Sequence, residues 1–156
     1  MQVDVLWKGR LSFTGSAESG FSVPLGSSPD VGGDNDGFRP MELMALSLAG
    51  CTAMDVISIL SKKRQEVSDF HVTVKTERAA EHPKVFTRAT IEYHVSGKDI
   101  QEQAVVRAIE LSATRYCPAQ AMLKQVFPID LVYYIYETAN GEKKLVHEGR
   151  YQPSLT

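Results

Sequence analysis

Hydrophobic and polar positions alternate with a period of two in several stretches of the chain. Val3, Val5 and Trp7, then Leu11 and Phe13, then Phe21, Val23 and Leu25 predict two or three antiparallel strands, punctuated by Gly15 and Gly20. Phe70, Val72, Val74 and Thr76 predict a further strand. Val85, Thr87, Ala89, Ile91, Tyr93 and Val95 predict its partner, with His82-Pro83 in the turn between them and Gly97 at the end. Residues 129–137, rich in Ile, Leu, Val and Tyr, predict another strand, and Asn140-Gly141 a hairpin-type turn. The polar residues 142–156 read either as a last strand or as part of a tail covering about 138–156.

The helical signals are of two kinds. From Met41 to Leu60 apolar residues occupy nearly every side, broken by Glu42, Ser47, Thr52, Asp55 and Ser58. In a soluble protein this predicts a central helix covered on several sides. Pro40 suits its first turn, and Glu42 at the start with Lys62, Lys63 and Arg64 at the end match the helix dipole. Asp99 with Glu102 reads as a capping box for a second helix, whose apolar face carries Val105, Ala108, Ile109, Leu111 and Ser112. Pro118 breaks that helix near Cys117 and opens a short one reaching about Val126. Strands in antiparallel runs, separated by helices, define the α+β class.

Composition narrows the function. The 156 residues predict a single domain, 1–156. The chain is 43% hydrophobic and 23% charged, with 17 Lys+Arg against 19 Asp+Glu. That balance argues against nucleic acid as a ligand. Glu42 and Asp55 argue against a membrane span, and without a basic, apolar leader the expected compartment is the cytoplasm. The loop 26–39 is long enough to be a functional segment or a solvated connection. Its Asp34-Asn35-Asp36-Gly37 does not meet the calcium-loop template, and Gly32-Gly33 lacks the residues of a phosphate loop. His71, His82, His94 and His147 show no ligand spacing, so no metal is expected.

The candidate chemistry lies in two cysteines. Cys51 sits in mid-helix after Gly50 and reads as a small core residue or a reactive thiol. Cys117 precedes Pro118 and so sits at a helix start, where unpaired N–H groups favour thiolate. The two are 66 residues apart on different helices. An attacking thiol that forms a sulfenic acid needs a resolving partner of this kind. Asp55, at i+4 from Cys51, would oppose ionisation of a nearby thiol unless a cation pairs with it. A Cys-His hydrolase using Cys51 with His71, His82 or His94 has no local signature.

Two motifs carry a resemblance. The run Pro40-Met41-Glu42-Leu43-Met44-Ala45-Leu46-Ser47-Leu48-Ala49-Gly50-Cys51-Thr52 resembles the first cysteine motif of the OsmC/Ohr family of osmotically inducible and organic hydroperoxide resistance proteins. Arg115-Tyr116-Cys117-Pro118-Ala119-Gln120-Ala121 resembles its second. The resemblance implies antiparallel sheets wrapped around long central helices in an intertwined homodimer. It further implies a thiol peroxidase for organic hydroperoxides, with Cys51 attacking and Cys117 resolving, and no cofactor. An external dithiol or a lipoylated protein would be the reductant. In the peroxidase branches a Glu follows the Pro and works with an Arg on the thiolate. Here Met41 holds that place and Glu42 the next, while Arg39 and Arg10 are the candidate cations. Nine helical residues give about 13 Å of rise, so Glu42 would act on Cys51 only after a bend or across a dimer. The absence of a matching Glu-Arg pair is also consistent with a binding or redox-sensing module for a small hydrophobic ligand on the same scaffold.

Overall fold

A computed structural model describes residues 1–151. The chain forms two compact units, residues 1–44 and the residues from 45 onward. The long helix α1 (Pro40–Lys62) begins in the first and continues into the second.

In the first unit, β1 (Val3–Gly9), β2 (Ser12–Ala17) and β3 (Ser22–Leu25) form an antiparallel meander in that spatial order. Trp7 pairs with Phe13, and Phe13 with Leu25. The β1–β2 turn closes because Gly9 and Arg10 both adopt positive φ, 119° and 49°. The 26–39 loop is tied to this meander. Arg10 pairs with Asp34 and donates to the Gly32 carbonyl at 3.1 Å, and Ser12 Oγ donates to Asp36 at 2.6 Å. Arg10 is thereby a strap for the loop. Val3, Val5, Leu6, Trp7 and Phe21 remain exposed.

In the second unit, β4 (Glu66–Arg78), β5 (Phe86–Lys98), β6 (Ile129–Ala139) and β7 (Glu142–Tyr151) form one sheet in the order β4-β5-β6-β7. The β4–β5 and β6–β7 pairs are antiparallel. β5 and β6 run parallel, because α2 (Glu102–Leu111) and α3 (Pro118–Leu123) lie between them in the chain and carry it back to the starting edge. Alternation puts Ala89, Ile91, Tyr93 and Val95 of β5 on the buried face, beside Leu131, Tyr133 and Ile135 of β6. The buried residues of α1 are Leu48, Thr52, Val56 and Leu60, a stripe at four-residue spacing.

Several expectations are corrected. Asp99 is no cap: it takes φ 51°, Gln101 stands at the N-cap without a side-chain bond, and Glu102 accepts from Tyr133 Oη at 2.8 Å. Asn140 and Gly141 do make the hairpin turn, with φ 53° and 81°, so residues 142–151 are strand rather than tail. Residues 152–156 lie outside the described residues. Within one chain, α1 is covered on a single stripe only. Met44, Leu46 and Met54 are exposed, Met54 to 74%.

Gly97 does not end β5, which runs on to Lys98. It is required by close approach, since a Cβ there would collide with the Glu66 carbonyl oxygen. Gly97→Ala is expected to cost about 1–3 kcal/mol, read as a lower urea midpoint at unchanged slope. An unchanged midpoint would show that β4 gives way freely.

Candidate functional site

The site is built where α1 crosses the inner face of the sheet and meets the segment between α2 and α3. After Leu111 the chain makes a π-helical turn, Ser112–Tyr116, closed by a bond from Cys117 N to Ser112 O at 2.9 Å. The wider turn inserts an extra residue and re-aims the side chains beyond it, as such turns do at functional sites. Ser112 and Cys117 are both buried as a result, while Thr114, Arg115 and Tyr116 face outward.

A chain of hydroxyls runs through this junction. Ser112 Oγ donates to Asp55 Oδ2 at 3.0 Å. A serine has one hydroxyl hydrogen, so in the 2.9 Å contact between Thr52 Oγ1 and Ser112 Oγ the donor is Thr52. Thr52 then has no hydrogen left, and in its 2.7 Å contact with Tyr93 Oη the tyrosine donates. Gln120 Nε2 donates to Thr52 Oγ1 at 2.9 Å and to Tyr93 Oη at 3.5 Å. The direction is therefore fixed, from Tyr93 through Thr52 and Ser112 to Asp55. Thr52, Tyr93, Ser112 and Gln120 are all buried, and among the described residues no buried side-chain nitrogen or oxygen lacks a partner. Asp55 accepts from Ser112 and, among the described residues, makes no ion pair.

Both cysteines are free and border this network. Cys51 is half-buried and precedes Thr52 on α1; Cys117 is buried and caps α3. The Gln120 backbone N–H donates to Cys117 Sγ at 3.4 Å. The expected thiolate-favouring effect of the helix start is present but outweighed. Burial first, then Cys51 and Asp55, push the Cys117 thiol up to about 11 against the downward pull of the Gln120 N–H. Cys51 is among the groups that raise the Cys117 thiol, which places the two thiols near each other. Burial also raises the Tyr93 phenol well above its ordinary value. A cleft of about 350 Å³ borders the network, lined by Asp55, Ser58, Ile59, Lys62, Leu111 and Tyr116.

The other predicted site residues fall in the first unit. Arg39 and Glu42 are brought together at the start of α1. Glu42 accepts the Arg39 backbone N–H at 3.0 Å, the side chains lie 3.7 Å apart, and Arg39 Nη2 donates to Asn35 at 2.6 Å. The histidines give no partner to Cys51. His71 and His94 stack at 4.4 Å on the sheet face opposite Tyr93, and His147 lies 3.5 Å from Glu102. The sequence reading missed Tyr93, Ser112 and Gln120 as site residues. A tyrosine at an inward strand position and a serine on an apolar helix face were its available signals, since each must find a partner when buried.

A mixed sheet backing a long apolar helix with one free cysteine, and a second free cysteine held against it, define a two-cysteine thiol protein of the α+β class. The family model for OsmC-like protein matches residues 33–132. The chain is 38% identical over 136 residues to the protein YhfA of Escherichia coli K12, spanning 86% of this chain and 98% of YhfA. The chain belongs to the OsmC-like family. Among solved structures it is similar to a hypothetical protein from Aquifex aeolicus VF5 (28% identity, TM-score 0.77, 88% of this chain and 97% of that one). It also shares the fold of an organic hydroperoxide resistance protein OsmC from Legionella pneumophila (17% identity, TM-score 0.59, 86% and 94%).

The raised Cys117 thiol has a measurable consequence. Its alkylation by iodoacetamide, followed by peptide mapping, should still climb about tenfold per pH unit at pH 10. A plateau near the ordinary thiol value of 9.0 would refute the burial effect. Native-state retention of that proton also makes folding stability fall as pH rises from 9.0 towards about 11.

Proposed function

We propose that this protein is a thiol-dependent peroxidase that reduces organic hydroperoxides, with hydrogen peroxide as a second substrate. The reading is carried by one observation: two free thiols from helices far apart in sequence are held as neighbours at a saturated buried network. In the reaction the Cys51 thiolate attacks the outer peroxide oxygen, the O–O bond breaks, and the alkoxide takes a proton and leaves as the alcohol. Cys51 is then a sulfenic acid. Cys117 attacks its sulfur, the S–O bond breaks, and the hydroxide leaves as water with the Cys117 proton. An external dithiol or a lipoylated protein reduces the disulfide by exchange. The cleft beside Asp55, with Ile59, Leu111 and Tyr116 in its wall, suits an organic peroxide. In this reading Arg39 and Glu42, paired at the start of α1, act on the reactive thiolate only across the dimer, because about 13 Å of helix separates Glu42 from Cys51 of its own chain.

The working form in this proposal is a homodimer. Leu46, Met54 and Ile57 of α1 are exposed in one chain, and burying such side chains is worth about 1.5–3 kcal/mol each. A second copy is the partner that would cover them. Light scattering should give twice the 17.3 kDa chain mass, and Met54→Asp should shift the protein towards monomer. A native protein already monomeric at micromolar concentration would refute the dimer.

With cumene hydroperoxide, the native protein should lose about 2 Da in intact mass as the disulfide closes. Cys117→Ser should instead hold a sulfenic acid that dimedone traps, and Cys51→Ser should lose peroxide consumption. Turnover by Cys51→Ser at the native rate would overturn the mechanism. Absence of both mass loss and adduct in the native protein would assign the scaffold to ligand binding.

A further inference from the structure

Disulfide closure makes a demand that the first oxidation does not. Two sulfurs on separate elements must meet along one line, and Cys117 comes from a turn between helices rather than from a long rigid element. Buried links join that turn to α1. Ser112 is bonded to Thr52 and to Asp55, and Gln120 reaches Thr52 from the other side of Cys117. Gln120 links Cys117 to the α1 residue next to Cys51. Its backbone N–H donates to Cys117 Sγ, and its side-chain amide donates to Thr52, the residue after Cys51.

We propose that Gln120 is a positioning residue for disulfide formation. Together with Ser112 it clamps the Cys117 segment onto the Thr52–Asp55 stretch of α1, so that the resolving sulfur stays aligned on Cys51. Because each hydroxyl in the chain from Tyr93 to Asp55 has one hydrogen and spends it in one direction, the clamp has no alternative pairing to relax into. The amide of Gln120 supplies two hydrogens, one to Thr52 Oγ1 beside the hydrogen it already accepts from Tyr93, and one to Tyr93 Oη, which has no other donor in the network. Misplacing a reacting group by about 1 Å can cost a hundredfold in rate.

The claim rests on the Cys51–Cys117 pairing of the proposed peroxidase, but it is tested without peroxide. Diamide oxidises a dithiol directly. One thiol adds to its N=N bond, the second thiol displaces the hydrazine, and the disulfide forms as two electrons and two protons pass to diamide. The native protein, Gln120→Met and Ser112→Ala are mixed with diamide and quenched with acid, and disulfide is read as a loss of about 2 Da against the mixed adduct. Gln120→Met keeps the side-chain length and the backbone N–H while removing both amide hydrogens. Closure should slow about tenfold or more in Gln120→Met and in Ser112→Ala, with the mixed adduct accumulating. Two variants are used so that a folding failure in one, seen by circular dichroism, leaves the other to decide.

With cumene hydroperoxide the same variants should accumulate dimedone-trappable sulfenic acid at Cys51. A purely structural role predicts that adduct formation and closure fall together, whereas the clamp predicts that closure falls relative to adduct formation. Equal closure rates in the native protein and both variants overturn the clamp. If native Cys51 ignores peroxide while diamide closure still slows in the variants, the peroxidase reading fails and the clamp stands.

Discussion

Everything at the candidate site depends on one hydroxyl placed in an apolar stripe. Thr52 occupies the α1 position between Leu48 and Val56, where the helix is fully covered. A hydroxyl there must be bonded, since an unsatisfied buried polar group costs about 1–3 kcal/mol. Its partners come from three separate elements: Tyr93 from β5, Ser112 from the end of α2, and Gln120 from α3. The bonds therefore determine where α1 crosses the sheet and how the segment from Ser112 to Gln120 lies against it. Cys117 is carried within that segment, and Cys51 is the residue before Thr52. The neighbouring of the two thiols is a by-product of satisfying Thr52.

The same burial sets the character of the second thiol. A helix start ordinarily favours thiolate, and Gln120 N–H does supply that bias to Cys117. Desolvation is the larger effect, and the charges of Cys51 and Asp55 act in the same direction. Cys117 is thereby kept as a neutral thiol at physiological pH. A neutral buried thiol is a poor first nucleophile, because attack on peroxide requires thiolate. The half-buried Cys51 is the more accessible of the two. In the proposed reaction, exposure and burial thus suit Cys51 to attack and Cys117 to resolve.

Much of the fold was legible in the pattern of apolar positions. Period-two alternation located β4, β5 and β6, and Asn140-Gly141 located the β6–β7 hairpin, because turns with positive φ have few acceptable residues. Pro40 and Pro118 marked helix starts for a similar reason. Asp99 was misread because its positive φ and the neighbouring Glu137, which accepts its N–H, come from the folded sheet. Gly97 was misread as a stop because the approach of the Glu66 backbone is a contact across strands. The π turn has no signal in the sequence: nothing in Ser112-Ala113-Thr114-Arg115-Tyr116 marks a five-residue closure.

By itself the sequence determined the order of the elements from α1 to β6, the α+β class, the apolar character of α1 and the identity of the two cysteines. These depend on local propensity and on spacing along one chain, which the residues carry with them. Only the tertiary structure decided that β5 and β6 run parallel, that α1 is covered on one stripe within a chain, and that Tyr93, Ser112 and Gln120 converge on Thr52. It also decided that Cys117 is a buried thiol rather than an activated one. Those properties depend on which groups lose water and which meet across elements distant in sequence, and neither is encoded in any short run of residues.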